Sequence, residues 1–325
     1  MAARFLAITR PELLPHVLPW LTRAGGGGGA TAVASQYERA CPEVLPLLST
    51  PGWIVTAATD RASLPPQLQV ISALEAAFPA IRREFLALRG ARSFQQYRAP
   101  AAAAGGAAAE ARAGAAGGGA AAPAQPLGAS ATDAGEWSVC YLQLHNAREA
   151  EGAGAAALGR CPATAAVLAG LGARAYGHAF FSVLQPGTHI TQHCGPTNKK
   201  VRVHLPLVVP APQGCARLRV GARTLPLEEG KCLAFQDSWE HEAWVDEGAG
   251  STRATLILDI WHPLLTDAEV KLLAFLRASA MRGCKAASEG GAIPPEEDFY
   301  RVLQASRDAG CEDEAVFQGC PVVDD

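Results

Sequence analysis

The 325-residue sequence holds nine cysteines, odd in number and scattered, and no two of them form a CxxC pair. A structural zinc site usually draws on such clustered ligands and is not expected. With no secretory signal, most of the thiols are expected reduced and several of them buried. Basic charge is not in excess either. Lys+Arg number 28 against 31 Asp+Glu, which gives −3 at pH 7 and a pI near 6.3, so there is no electrostatic footprint for nucleic acid. Long apolar runs are missing as well. The opening "MAARFLAITRPELLPHVLPWL" is broken by Arg4, Arg10, Pro11 and Pro15 and supplies neither a clean signal-peptide core nor a span of about 20 residues. The chain therefore reads as soluble and cytoplasmic with no transmembrane segment. An acid-poor, amphipathic transit peptide over the first 30 residues stays open as the alternative.

Two stretches lack large apolar side chains: "AGGGGGA" at 24–30 and the Ala/Gly/Pro tract at 99–131. Neither can form a packed core, so they read as linker and insertion. Between them "PPQLQVISALEAAFPAIRREFLALRG" has apolar residues at helical spacing and ends in Arg-Gly. "WSVCYLQL" (137–144) alternates like a strand, and "CPATAAVLAGLG" (161–172) reads as a short helix. From 178 to 261 seven or eight short strand-like segments, including "HAFFSVLQ", "THITQH", "VRVHLPLVV" and "TRATLILDIW", are separated by regularly spaced Gly and Pro turns. That spacing predicts a mainly β fold, a double-sheet jelly roll with flanking helices. The tail returns to helix, with a Thr cap opening "TDAEVKLLAFLRASAMRG". The expected organisation is an N-terminal extension over 1–69, one domain over 70–265 interrupted by the 99–131 insertion, and a helical extension over 266–325.

The chain has only eight histidines, and several fall in the strand region. His193 ends one segment before a Gly-Pro turn, and His241 begins another. In a small jelly roll these positions can meet at one open end, where two neutral imidazoles would suit Fe(II), Zn or Cu. Taken singly, each is more often a hydrogen-bonded structural histidine than a ligand. Arg253 follows on a strand among Ala254, Leu256 and Leu258, so its guanidinium can point inward. A buried cation needs an anion, and its planar fork matches a carboxylate.

The elements PGTH, HxGPTN, RxHLxL, DSxEHE and DxWHP occur in order between residues 177 and 263. Together with "LEAAFPAIRREFLAL" and "WSVCYLQL" upstream, they resemble the aspartyl/asparaginyl β-hydroxylase family over about residues 70–265. The resemblance implies a double-stranded β-helix and a dioxygenase that uses Fe(II), 2-oxoglutarate and O2 to hydroxylate the β-carbon of Asp or Asn in a peptide or protein. His193 and His241 match the two iron ligands. Gly195 stands where the broader superfamily has a carboxylate ligand, as it does in the resembled family, so a water would complete that position. Arg253 matches the clamp on the distal carboxylate of 2-oxoglutarate, with Ser182 as its hydroxyl partner. Arg202 and His204, on one face of one strand, match groups near the carboxylate that binds iron. Asp237 matches either an acid that orients a metal-bound imidazole or an acceptor for loop amides. Cys194 departs from the family's threonine and is expected to point away from the metal. Ser182 and His204 also fit plain strand and core roles. His189 and His262 are expected in turn hydrogen bonds, Trp239, Trp244 and Trp261 in the core, and Glu228 and Glu229 in solvent. The same cofactor chemistry on a small molecule or another side chain, a non-catalytic jelly-roll binding module and a cupin-like metalloenzyme without 2-oxoglutarate remain alternatives.

Overall fold

The computed structural model describes residues 52–89, 94–97, 132–143 and 153–274, apart from 196, 268 and 272, together with Tyr37 and Leu48. The expected linker at 24–30, the 99–131 insertion and the helical extension past 274 lie outside the described residues. Chain order is β1 (Trp53–Val55), α1 (Val70–Leu88), β2 (Gln95–Gln96), β3 (Thr132–Ala134), β4 (Trp137–Gln143), α2 (Ala153–Gly159) and α3 (Pro162–Gly170). Then come β5 (Ala175–Leu184), β6 (His189–His193), β7 (Lys200–Val208), β8 (Ala216–Val220), β9 (Arg223–Pro226), β10 (Leu233–Phe235), β11 (His241–Val245) and β12 (Arg253–Trp261). They make a larger sheet of order β1-β10-β7-β12-β5-β4-β2 and a smaller one of order β3-β6-β11-β8-β9. Every pairing is antiparallel, so the fold is the jelly roll that the turn spacing predicts.

Alternation along the long central strands divides the interior into two layers. Val201, Val203 and Leu205 of β7, Phe181 and Val183 of β5, and Ala254, Leu256 and Leu258 of β12 face outward into one cluster. There they meet Ile71, Leu74, Ile81, Phe85 and Leu88 of α1, residues three, four or seven apart and hence on one helical face. Each such side chain, fully buried, stabilises the fold by roughly 1.5–3 kcal/mol. Glu84 on α1 accepts from the Ala163 and Thr164 amides at 2.6 and 3.0 Å and so caps α3. The opposite parity, Arg202 and His204 on β7, Ser182 on β5 and Arg253 and Ile257 on β12, faces the smaller sheet and lines a cavity between the two. Leu184, Ile190, Leu218, Val220, Phe235 and Ala243 pack beside it.

The sheet begins ahead of the boundary at 70 expected from the sequence. β1 pairs with β10, Trp53 opposite Phe235, and Arg61 holds Glu75 at 2.7 Å. Three apolar residues flanked by Gly and Pro are too short a run to show a period, which is why β1 escaped the pattern. At the other end Leu265 and Val270 pack on Trp261 and Tyr176, and Thr266 opens the expected helix with reciprocal hydrogen bonds to Glu269. Among the described residues no helix is long and apolar enough to cross a membrane.

Candidate active site

β6 and β11 are neighbours in the smaller sheet, and their register sets His193 directly opposite His241. The two imidazole centroids are 4.1 Å apart. Each ring is fixed in the same way, by a backbone carbonyl two residues earlier. His193 Nδ1 lies 2.7 Å from the Thr191 carbonyl oxygen, and His241 Nδ1 lies 2.7 Å from that of Trp239. With Nδ1 as the donor, the lone pair of each ring sits on Nε2, the tautomer a metal requires. His241 is held well below the ordinary histidine range, first by burial and then by the neighbouring His193. His204 is held low by burial, then by Arg253 and Arg202. Both are therefore neutral at physiological pH. Among the described residues no group of three or more His, Cys, Asp or Glu side chains is placed to hold a metal, so two imidazoles are what the histidine pair could offer one.

Arg253 projects into the same cavity from β12 and is 1% exposed. Its Nε donates to Thr255 Oγ1 at 3.1 Å, and Nη2 lies 3.5 Å from His204 Nδ1. Among the described residues it has no carboxylate partner, and burial alone lowers its pKa to about 10. Ser182, opposite Thr255 in the ladder, accepts from the Trp137 indole at 3.0 Å. A buried guanidinium in that setting could receive an anion.

The other expected residues sit a step away. Arg202 lines the cavity, yet its Nε and Nη2 reach Asp259 at 2.8 and 2.9 Å and its Nη1 lies 3.4 Å from Asp237. Lys200 joins the same group, with Nζ 2.6 Å from Asp259 and 3.2 Å from Asp237. His178 adds a 3.2 Å contact to Asp259. Asp237 therefore does not orient either imidazole at Nδ1, where backbone carbonyls take that role. Its carboxylate lies among cations, and its own carbonyl accepts from the Gly195 amide at 2.6 Å. Lys200, His178 and Asp259 were missed by residue-type reasoning. The available signal was parity: Lys200, Arg202 and His204 alternate on β7, and Asp259 on β12 is the register partner of Arg202. Trp137, also missed, lines the cavity, whereas Trp261 packs on Tyr176 and Trp239 stacks on Tyr37. His262 accepts from the Leu264 amide in a turn, as expected, and His189 lies between Asp133 and Glu242. Glu228 and Glu229 are exposed, as expected, and Glu229 also accepts from the Val209 amide at 3.0 Å.

A jelly roll with a facing histidine pair and a buried guanidinium that has no carboxylate partner among the described residues, all in one cavity, defines a candidate metal site beside a cation that could pair with an anion. More particularly, the chain belongs to the aspartyl/asparaginyl beta-hydroxylase family, whose model matches residues 75–263. It is 46% identical over 97 residues to the mouse aspartyl/asparaginyl beta-hydroxylase, a match covering 30% of this chain and 13% of that protein. It is 37% identical over 154 residues to the human aspartate beta-hydroxylase domain-containing protein 2, covering 46% of this chain and 40% of that one. An ornithine lipid ester-linked acyl 2-hydroxylase of Rhizobium tropici is 41% identical over 90 residues, 28% of this chain and 31% of that one. The matches thus span less than half the length of these relatives. A solved structure of a predicted oxalate decarboxylase from Thermotoga maritima is similar at 11% identity and a TM-score of 0.26, over 40% of this chain and 84% of that one, and it carries no functional argument.

Proposed function

We propose that the chain is an Fe(II)- and 2-oxoglutarate-dependent dioxygenase that hydroxylates the β-carbon of Asp or Asn residues in a peptide or protein. The carrying observation is Arg253, a buried guanidinium without a carboxylate among the described residues, in one cavity with the facing imidazoles of His193 and His241. His193 and His241 would hold the iron through Nε2, and the carbonyls of Thr191 and Trp239 keep both rings in the required tautomer. Arg253 would receive the distal carboxylate of 2-oxoglutarate, beside the Ser182 hydroxyl that Trp137 fixes. Arg202 and His204 line the same cavity, His204 as a neutral donor or acceptor 3.5 Å from Arg253. Bound iron supplies the activation of O2 against an unreactive C–H bond, with succinate and CO2 as co-products. Trp137, Phe180 and Ile257 close one side with apolar surface and keep water from the reacting carbon.

The relatives' names point to a common chemistry. The β-carbon of Asp or Asn and the 2-position of an ester-linked acyl chain are both methylenes beside a carbonyl. The apolar wall therefore also suits a second reading, the same chemistry on a small acyl or other non-peptide substrate. Conversion of 2-oxoglutarate to succinate by anaerobically purified, iron-loaded protein tests both. An Asp/Asn peptide library is expected to stimulate turnover and to gain one oxygen. Stimulation by acyl esters and not by peptides would select the second reading, and no turnover with any substrate would leave a binding module.

A further inference from the structure

Trp137 stands on β4, one strand in from the β2 edge of the larger sheet, and reaches into the cavity with its indole. An indole N–H can only donate, so the 3.0 Å contact makes Ser182 Oγ the acceptor. Ser182 is fully buried, and both residues line the cavity with Arg253. The acceptor role leaves the Ser182 hydroxyl hydrogen for an anion held by the guanidinium. Without that donor the hydrogen could turn elsewhere, since a hydroxyl rotates to suit its partners.

Strand register alone does not deliver the indole to Ser182. Trp137 lies opposite Leu184, and Val139 is the residue opposite Ser182, so the ring must lean along the sheet to a diagonal neighbour. Tyr97 grips it from the edge. β2 lays Gln95 and Gln96 against Val139 and Ser138, and the Tyr97 amide donates to the Trp137 carbonyl at 2.8 Å. The two rings stack with centroids 3.8 Å apart and planes 20° apart. Apolar packing of Trp137 against Val139, Phe180 and Ile257 excludes volume, whereas a stack also fixes the plane of the ring.

We infer that Tyr97 is a positioning residue for the cosubstrate: its ring holds the Trp137 indole against Ser182 and so keeps the serine hydroxyl turned to the carboxylate bound at Arg253. In the hydroxylase reading, on which this rests, that carboxylate is the distal one of 2-oxoglutarate. No contact between Tyr97 and the cosubstrate is required.

Calorimetry of 2-oxoglutarate on the Mn(II)-loaded full chain tests this, with affinity read apart from the stoichiometry that partial unfolding would lower. Trp137→Phe keeps a ring for the stack and removes the N–H, and it is expected to weaken binding about fivefold, the weight of one hydrogen bond. Tyr97→Leu keeps apolar bulk without a flat ring and is expected to weaken binding about threefold. Tyr97→Phe keeps the stack and should stay within about twofold of wild type. The double variant Trp137→Phe/Tyr97→Leu decides the route: with no N–H left to aim, Tyr97→Leu should add nothing to Trp137→Phe. Effects that multiply would make Tyr97 a packing residue and overturn the inference. Unchanged affinity in Tyr97→Leu or Trp137→Phe, or equal losses in Tyr97→Leu and Tyr97→Phe, would overturn it too. A wild type that binds no 2-oxoglutarate would fell the hydroxylase reading itself, whereas one that binds it regardless of residue 97 would leave that reading standing.

Discussion

Replacing Arg253 with methionine should make the protein more stable and its cosubstrate binding worse. The drop of the Arg253 pKa from 12.5 to about 10 is caused by burial alone. At about 1.36 kcal/mol per pH unit it corresponds to about 3 kcal/mol against the charged form in the folded protein. For a base whose folded pKa is depressed, this cost is present at every pH below about 10 and fades as pH rises toward 12.5. Methionine removes the charge and keeps much of the volume, but forfeits the hydrogen bond to Thr255, which offsets about 1 kcal/mol. The net expectation is about 2 kcal/mol of added stability, or ~4–8 °C in melting temperature for a domain of this size. The same substitution deletes a charge-assisted clamp and should weaken 2-oxoglutarate at least about thirtyfold, ~2 kcal/mol. Thermal melting without cosubstrate reads the first effect, and calorimetry with 2-oxoglutarate on Mn(II)-loaded protein reads the second. A melting temperature several degrees lower, together with unchanged affinity, would show Arg253 to be a structural cation and refute the anion-pocket argument.

Other expectations are more local. His193→Ala and His241→Ala should each abolish iron-dependent succinate formation, since a two-ligand site has no reserve, while circular dichroism stays native; substantial activity of either at saturating iron would return that histidine to a structural role. Gly195→Ala should destabilise by about 1–3 kcal/mol in chemical denaturation, because an added Cβ would stand 2.7 Å from the Asp237 carboxylate carbon; an unchanged midpoint would mean the loop yields freely. Asp259→Asn leaves Lys200 and Arg202 underpaired in the interior and should cost about 3–5 kcal/mol, again by denaturant midpoint. Loss of under about 1 kcal/mol there would show that Asp237 suffices for both cations.

The layered fold was legible because alternation survives where one face is buried. "VRVHLPLVV" and "TRATLILDIW" coincide with β7 and β12 to within a residue, since their outward apolar residues are buried in one cluster with α1 and its neighbours. The cavity set of Ser182, Arg202, His204 and Arg253 lies on the other parity of the same strands, and the structure brings these residues together with His193 and His241. What stayed hidden depends on partners distant in sequence. Nothing near Asp259 announces Lys200, 59 residues away, and Asp237 reads alike whether it faces an imidazole or a guanidinium. β1 and β2 are edge strands of three and two residues, too brief to carry a period, and they exist because a longer strand offers them its open side.

The approach of Gly195 to Asp237 has a consequence for how this site can change over evolutionary time. If the histidine pair holds iron as proposed, an acid at 195 offered as a third ligand would meet a carboxylate already engaged with Lys200 and Arg202, since any side chain at 195 would overlap Asp237. A single mutation to an acid at 195 is therefore penalised before it can be useful. Shrinking residue 237 first would strip Lys200 and Arg202 of a partner. The two positions form an epistatic pair, and each one-step path between the two-ligand and three-ligand designs runs through a less fit intermediate. A lineage that has adopted this geometry is expected to keep it, and the glycine and the aspartate should be exchanged together or not at all.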